Sequence, residues 1–330
     1  MTERMLDFSE RPARLSVRNG LLVISLSDGG TGVSPVASHG QDGPATKIYR
    51  SEQGPNPNEQ TVPLADIAVI IAAHPQISFS HAVLAGLAEA GGIFIACNEK
   101  RMPCAMLLPL ETHSTQTERF QAQANLPLPN RKRLWQQIVK AKIRAQARLL
   151  SEISNLRSGS PNDGGLERLA ATVRSGDPQN IESRAARIYW KSLFGDDDFR
   201  RDPEGEGLNP LLNYGYAILR AATARALCAA GLHPSLGIHH HNRYDAFCLA
   251  DDLMEPFRPI VDRAVAEIRG RREGELELDR ETKRALLEAL LGRFAWEGES
   301  RTLFDWVSRT AQSLAAAIES GDKKLEIPLL

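Results

Sequence analysis

Apolar and polar positions alternate along much of the first hundred residues, and from about residue 115 the apolar positions recur every three or four. The early period is that of strands. Leu15 and Val17 alternate with polar neighbours, Asn19-Gly20 is a two-residue hairpin signal, and 21–26 supplies the return strand. Further apolar runs predict strands at 67–71, 77–79, 93–97 and 102–108. Ser80 caps a short helix over 81–90 that Gly91-Gly92 ends. The stretch 27–59, rich in Gly, Ser, Pro and Asn, reads as a long loop with a short strand at 47–50.

The later period is helical. Asn130 caps a long helix over 131–153. Asp177 as cap, with Pro178 at the first helical position, starts another that Gly195 stops. Its expected inner face is Ile181, Ala185, Ile188 and Ser192, with Glu182 beside that stripe. Asn209 opens a helix ending near Ala230, whose many alanines let a neighbour approach closely. Pro256 kinks or restarts the helix that precedes it. Two more helices follow, one from the capping Asp279 to Gly292 and one over 302–319. The apolar tail 325–330 reads either as a docked strand or as a partner segment. The change of period gives an α+β chain: a small β-rich, sandwich-like domain at 1–109 and a larger all-α domain at 110–330.

Composition narrows the class. The chain has 330 residues, 42% hydrophobic and 25% charged, which excludes a disordered or membrane protein. No apolar run at the N-terminus resembles a signal peptide, and none elsewhere has transmembrane length. The four cysteines form no CxxC pair, so neither a zinc ribbon nor a disulfide framework is suggested, and a cytoplasmic location is expected. A net charge of −1 says nothing about partners, but its distribution does. Between Glu118 and Glu152 there is no acid, and Lys140, Arg144 and Arg148 repeat every four residues. This basic stripe suits a phosphate backbone, or is a solvated face whose charges meet acids elsewhere.

The densest chemistry lies at 237–258, GIHHHNRYDAFCLADDLMEPFR. His239, His240 and His241 precede a run carrying Asp251, Asp252 and Glu255. At about 100° per residue, Leu249, Leu253 and Phe257 share one face and the acids the other. Imidazole nitrogen and carboxylate oxygens together can surround a divalent cation. The same pattern also fits an exposed amphipathic helix.

Three stretches resemble one family, in order and spacing. Ile181-Glu182-Ser183-Arg184-Ala185-Ala186-Arg187-Ile188-Tyr189-Trp190 resembles its E-x-x-A-A-x-x-Y helix. Leu212-Asn213-Tyr214-Gly215-Tyr216-Ala217-Ile218-Leu219 resembles its LNYGYxxL helix. Gly237-Ile238-His239-His240, followed by Asp252-Leu253-Met254-Glu255-Pro256-Phe257-Arg258, resembles its G-[FI]-x-H … DLMEPFR segment. The family is the CRISPR-associated spacer-acquisition endonuclease and integrase, Cas-one, in the subgroup accompanying single-protein effector nucleases. The resemblance implies an N-terminal β-domain that dimerises, a helical catalytic domain and a homodimer. It implies Glu182, His240 and Glu255 as catalytic metal ligands, with Asp252 and Asp251 as alternatives for the third, and Mg²⁺ or Mn²⁺ as the ion. It further implies double-stranded DNA as substrate, both fragment and repeat array, and a small dimeric Cas-two partner. In the implied reaction a 3′-hydroxyl attacks a phosphodiester of the array, with Lys140, Arg144, Arg148 and Arg258 holding phosphates. Two other readings use the same residues or fewer: a metal-dependent nuclease that cuts branched DNA without joining, and a catalytically silent DNA-binding scaffold.

Overall fold

The computed structural model describes residues 4–26, 36–37, 59–108, 113–196, 199–272, 274, 276–321 and 324–330. Met1–Leu110 and Asp279–Gly292 form one compact unit, and Glu111–Leu278 with Arg293–Leu330 form another.

The first unit contains β1 (Arg4–Phe8), β2 (Ala13–Arg18), β3 (Leu21–Leu26), β4 (Val36–Ala37), β5 (Glu59–Pro63), β6 (Ile67–Ala72), β7 (Ser78–Phe79), α1 (His81–Glu89), β8 (Ile93–Cys97) and β9 (Pro103–Leu107). They make a five-stranded sheet, β4-β1-β6-β8-β9, and a four-stranded one, β5-β3-β2-β7. The β2–β3 hairpin turns at Asn19-Gly20, where both residues have positive φ (52° and 72°), the conformation a two-residue turn of this hand requires. Leu15, Leu22 and Ile24 from one sheet meet Leu6, Phe8, Ile70 and Phe94 from the other, with Val83 and Leu87 of α1, in a single core. Each such side chain, taken fully out of water, contributes roughly 1.5–3 kcal/mol. Central β6 is apolar and buried on both faces, as expected of a strand with parallel neighbours on each side. Strands β1 and β5 were not expected. β5 pairs along β3 and buries Thr61 and Val62, starting at the last residue of the expected loop. The expected strand at 47–50, and most of 27–59, lie outside the described residues.

The second unit begins with α2 (Gln116–Ala124) and is built on α3 (Leu128–Ser158), followed by α4 (Leu166–Thr172), α5 (Ile181–Phe194), α6 (Asn209–Ala229), α7 (Cys248–Met254) and α8 (Arg258–Arg271). Helix α9 (Arg280–Leu290) belongs with the first unit. The hairpin β10 (Arg293–Trp296)–β11 (Glu299–Thr302) and α10 (Leu303–Ser320) complete the second. The spine α3 outruns its expected span at both ends: it starts directly after Pro127 and stops at Gly159, whose φ is 70°. It packs against α4, α5, α7 and α8.

Three local expectations need correction. The first is the start of α5. A turn with positive φ at Asp177 and Asn180 separates Pro178 from the helix, and Asn180 is the cap. Asp177 still serves that end, accepting from the backbone N–H of Ile181 and of Glu182, each at 2.9 Å. The second is the buried face of α5, which runs Ile181, Ala185, Tyr189, Leu193; Ile188 and Ser192 are exposed. The third is the β10–β11 hairpin, a departure from all-α. It turns on Glu297-Gly298 with φ of 48° and 82°, and Trp296 packs edge-on against Trp306.

As expected, Pro256 restarts the chain: one 3₁₀ turn, Glu255–Phe257, joins α7 to α8. The tail is docked, though not as a strand. Leu325 N–H donates to Gln137 Oε1 (2.9 Å), Thr310 Oγ1 to the Glu326 carbonyl (2.8 Å) and Arg148 Nη1 to the Leu329 carbonyl (2.7 Å). Among the described residues, no helix is long and apolar enough to cross a membrane, and all four cysteines are free thiols.

Helices α6 and α8 approach closely at Gly215, where an added Cβ would lie 2.4 Å from Val261 Cγ1. Gly215→Ala should therefore lower stability by about 1–3 kcal/mol, although Ala favours a helix over Gly by about 1 kcal/mol. Urea unfolding checks this. A lowered midpoint at unchanged slope is expected, and a raised midpoint would show that the helix pair relaxes.

Candidate active site

The acids of 251–255 do not form a solvated face. Asp251, Asp252 and Glu255 are 6%, 0% and 3% exposed, so each must be compensated inside the protein. The structure gives them three different partners.

Asp252 anchors the histidine loop. Its Oδ2 accepts from the backbone N–H of Ile238 (2.6 Å) and His239 (2.9 Å), and its Oδ1 from His240 N–H (3.2 Å). The same Oδ1 lies 2.6 Å from His240 Nδ1. In the neutral tautomer that donates from Nδ1 to Asp252, Nε2 keeps a lone pair for another partner. That hydrogen bond to Asp252 is the main cause that raises the pKa of His240, against the pull of burial. Gly237 is required here because a Cβ would stand 2.3 Å from the His240 carbonyl oxygen. Trp135 of α3 forms the other wall: its ring stacks on His239 at 4.2 Å and 2°, and meets His240 edge-on at 5.7 Å.

Asp251 turns elsewhere, to a two-point pair with Arg220 (2.6 and 2.8 Å), and burial pushes its pKa up to about 6.

Glu255 meets Glu182. Lys142 Nζ of α3 lies 2.6 Å from Glu182 Oε1 and 2.6 Å from Glu255 Oε2. Oxygens each that close to one nitrogen are no more than about 5 Å apart. Glu182 sits in the first turn of α5, where the helix dipole favours a carboxylate. Glu255 is also paired with Arg258 through Oε1 at 3.0 Å. Burial alone would raise the Glu255 pKa, but Arg258 and Lys142 outweigh it and the direction is down. Burial likewise draws Lys142 down, while Glu255 and Glu182 carry it above its ordinary value. His240 is near enough to feel the Glu255 charge. Among the described residues, however, no three His, Cys, Asp or Glu side chains stand together as a metal-holding group. The cation between Glu182 and Glu255 is the lysine's own.

Beside these acids opens a groove of about 700 Å³, lined by Lys142, Arg187, Lys191, Arg200, Arg201 and Arg258. Trp190, Phe199 and Tyr216 interleave, and Asp262 is the one acid in the lining. The Tyr216 ring carries two guanidinium groups, Arg258 at 4.8 Å and Arg201 at 5.3 Å from its centroid. Beneath, Asp262 accepts from both Tyr216 Oη and Tyr189 Oη, the latter at 2.7 Å. Of the four cations expected at DNA, only Arg258 lies here. Lys140 and Arg144 line a separate groove of about 690 Å³ with the C-terminal tail. Arg144 pairs with Glu167 and Arg148 with Glu152.

The sequence reading did not single out Lys142, Trp135, Arg201 or Asp262 for a role. Lys142 had a signal in retrospect, since it falls in the acid-free segment but off the four-residue repeat, hence on another face of α3.

Burial pushes Asp262 up to about 6, with the two tyrosine hydrogen bonds pulling the other way. A folded-state pKa above the unfolded value gives stability that is complete at low pH and lost as pH rises through about 6. Asp262→Asn removes this titration. Between about pH 4 and pH 7 the variant should gain on the order of 2–3 kcal/mol relative to the parent chain, measured from urea midpoints. A constant gap across that range would mean the carboxyl stays ionised.

Comparison with known proteins identifies the family and the fold. The family model described as "CRISPR associated protein Cas1" matches residues 42–290. The "CRISPR-associated endonuclease Cas1" of Neisseria meningitidis serogroup C (strain 8013) is 35% identical over 274 residues, covering 83% of this chain and 88% of that protein. Among solved structures, a casposase bound to integration product superposes with a TM-score of 0.74 at 21% identity, over 98% of this chain and 92% of the other. A Cas6-RT-Cas1–Cas2 complex follows at 0.64 and 17%, over 96% of this chain and 35% of that one. At those identities the two structures establish a shared fold. With the sequence match over most of its length, the chain belongs to the Cas1 family of CRISPR-associated endonucleases.

Proposed function

We propose that the chain is a divalent-metal-dependent DNA endonuclease and integrase that joins short fragments to a repeat array. The observation that carries this reading is the convergence of Glu182 of α5 and Glu255 of the α7–α8 turn on one largely buried cation, Lys142, with His240 near enough to Glu255 to feel its charge. An ammonium at 2.6 Å from both carboxylates is a stand-in for a metal ion, and the donor types suit one: two carboxylates already together, and the His240 imidazole, which would have to close in to complete the set. Oxygen donors with one nitrogen suit Mn²⁺ or Mg²⁺ rather than a closed, thiolate-rich zinc site. Such an ion lowers the pKa of an attacking hydroxyl and draws charge from the phosphoryl oxygens.

The chain's own residues do the rest. Asp252 is saturated by the loop and Asp251 by Arg220, which favours Glu255 as the third ligand and makes Asp252 the residue that orients His240. Arg258, held by Glu255 and by the Tyr216 ring, presents a guanidinium beside the acids to a phosphate oxygen. The remaining cations of the groove track the strand backbone, and the part-exposed rings of Trp190 and Phe199 stack unpaired bases whatever their sequence. The 3′-hydroxyl oxygen bonds to phosphorus as the array's old 3′-oxygen leaves, so phosphodiesters are exchanged without net loss.

The β-rich unit, in this reading, makes the homodimer, while the helical unit does the chemistry in the cytoplasm. The Cas1–Cas2 and integration-product structures among the fold neighbours support a small Cas2 partner and double-stranded DNA as substrate. Lys140, Arg144 and Arg148 are a second duplex contact, weakened by the pairing of Arg144 to Glu167 and of Arg148 to Glu152.

Joining of a labelled fragment to a repeat-bearing plasmid, with Mn²⁺ or Mg²⁺ and with or without the small partner, tests this reading. Glu182→Ala, His240→Ala and Glu255→Ala should each abolish the joined product while circular dichroism shows a folded chain. Persistent joining by folded Glu182→Ala, or cutting without joining by the parent protein, would overturn the integrase assignment. Replacing Arg187, Arg200 and Arg201 by Gln should reduce the slope of log affinity against log salt by about 2, at roughly 0.7 per single-strand phosphate contact. The Lys140, Arg144 and Arg148 triple replacement should flatten it less. An unchanged slope in the first variant removes the groove from the DNA path.

A further inference from the structure

The buried ammonium of Lys142 and a divalent ion need the same place. Two carboxylate oxygens at 2.6 Å define the electrostatic minimum between Glu182 and Glu255, and two cations cannot share it. Lys142 also has somewhere else to go. Its backbone is fixed within α3, among the buried Ile138, Val139, Ile143 and Ala145, but its four-carbon stem borders the cationic groove. The grip on it is uneven. Its hydrogen bond to Glu182 is well directed, whereas Glu255 Oε2 is buried and, despite the short separation, has no aligned donor.

We propose that Lys142 is a built-in counter-cation. It closes the Glu182–Glu255 pair when no metal is bound, and an entering divalent ion displaces it into the groove, where the ammonium meets a DNA phosphate. This rests on the reading of Glu182 and Glu255 as metal ligands, and adds a regulation of that site. Because linkage is reciprocal, DNA in the groove should tighten metal binding, and metal should tighten DNA binding. A centre coupled in this way assembles fully only with its substrate present.

The test is Mn²⁺ affinity of the full chain, read as free Mn²⁺ by electron paramagnetic resonance, with and without a short oligonucleotide. Lys142→Met should bind Mn²⁺ at least tenfold more tightly than the parent without DNA. The oligonucleotide should tighten Mn²⁺ binding to the parent by a clearly larger factor than to the variant, in which only the coupling through the arginines remains. In chelator, Lys142→Met should melt lower and be restored by Mn²⁺, because two carboxylates are left facing each other. A second measurement covers a variant that does not fold: amine labelling of the parent protein, mapped by mass spectrometry, should rise at Lys142 on addition of Mn²⁺. Equal or weaker Mn²⁺ affinity in folded Lys142→Met, or labelling of Lys142 unchanged at saturating Mn²⁺, overturns the proposal. Glu182→Gln separates the two levels. If it loses Mn²⁺ while Lys142→Met gains nothing, the metal site stands and the counter-cation falls. If the parent chain itself binds no Mn²⁺, both fall.

Discussion

Two carboxylates within about 5 Å of each other, Glu255 buried and Glu182 half-buried, repel strongly unless a cation lies between them, and that constraint organises the helical unit. Lys142 meets it from α3, Glu182 from the first turn of α5 and Glu255 from the turn between α7 and α8. Three elements distant in sequence are pinned at one point. Arg258 brings the local count to two cations and two anions, so the group is neutral without being closed to exchange. Removing one member of such a set leaves an uncompensated buried charge, at a cost of about 3–5 kcal/mol. The length of α3 follows from the same demand, since one rigid helix must reach α4, α5, α7 and α8 while keeping Lys142 in register.

A second constraint acts on the histidine loop. One fully buried carboxylate, Asp252, gathers three successive backbone N–H groups and one ring nitrogen, and the missing Cβ of Gly237 lets the loop close over it. The Trp135 ring supports the loop from α3, so the same helix that carries the counter-charge also sets the imidazoles. His240 is selected from three neighbours by geometry rather than by chemistry. Its ring alone shares an oxygen with Asp252, and its ring faces Glu255 closely enough for the two charges to interact.

What the sequence disclosed, and what it hid, follows from the range of the forces involved. Local signals were legible: Asn19-Gly20 turned the hairpin, Gly195 ended α5, and Pro256 restarted the helix, because each acts through its own backbone. The motif residues Glu182, His240 and Glu255 were legible as a family pattern, and the fold places the two glutamates together. Long-range pairings were not. β5 is a strand because β3 offers it an edge, not because 59–63 is apolar, and the Ile188 position faces outward because Tyr189 is drawn inward to Asp262. Lys142 was indistinguishable from its basic neighbours until α5 and the 255–257 turn packed on its face.

The contrast between the two basic surfaces of α3 shows why net charge was a poor guide. A chain of net charge −1 has no general attraction for DNA, so affinity must come from local excess. The regular stripe of Lys140, Arg144 and Arg148 was the visible candidate, yet Arg144 and Arg148 already have carboxylate partners and Arg148 also holds the tail. The groove on the other side draws its cations from α3, α5, the 199–201 segment and the start of α8, with no periodicity in the sequence; with Glu182 and Glu255, which compensate Lys142 and Arg258, counted beside Asp262, six cations face three acids. A polyanion would meet the larger excess there, beside Glu182 and Glu255. Phosphates brought to that point partly neutralise the guanidiniums that border the acids and thereby ease entry of a further cation. In the proposed function, binding of the strand and completion of the centre would in this way be parts of one electrostatic balance.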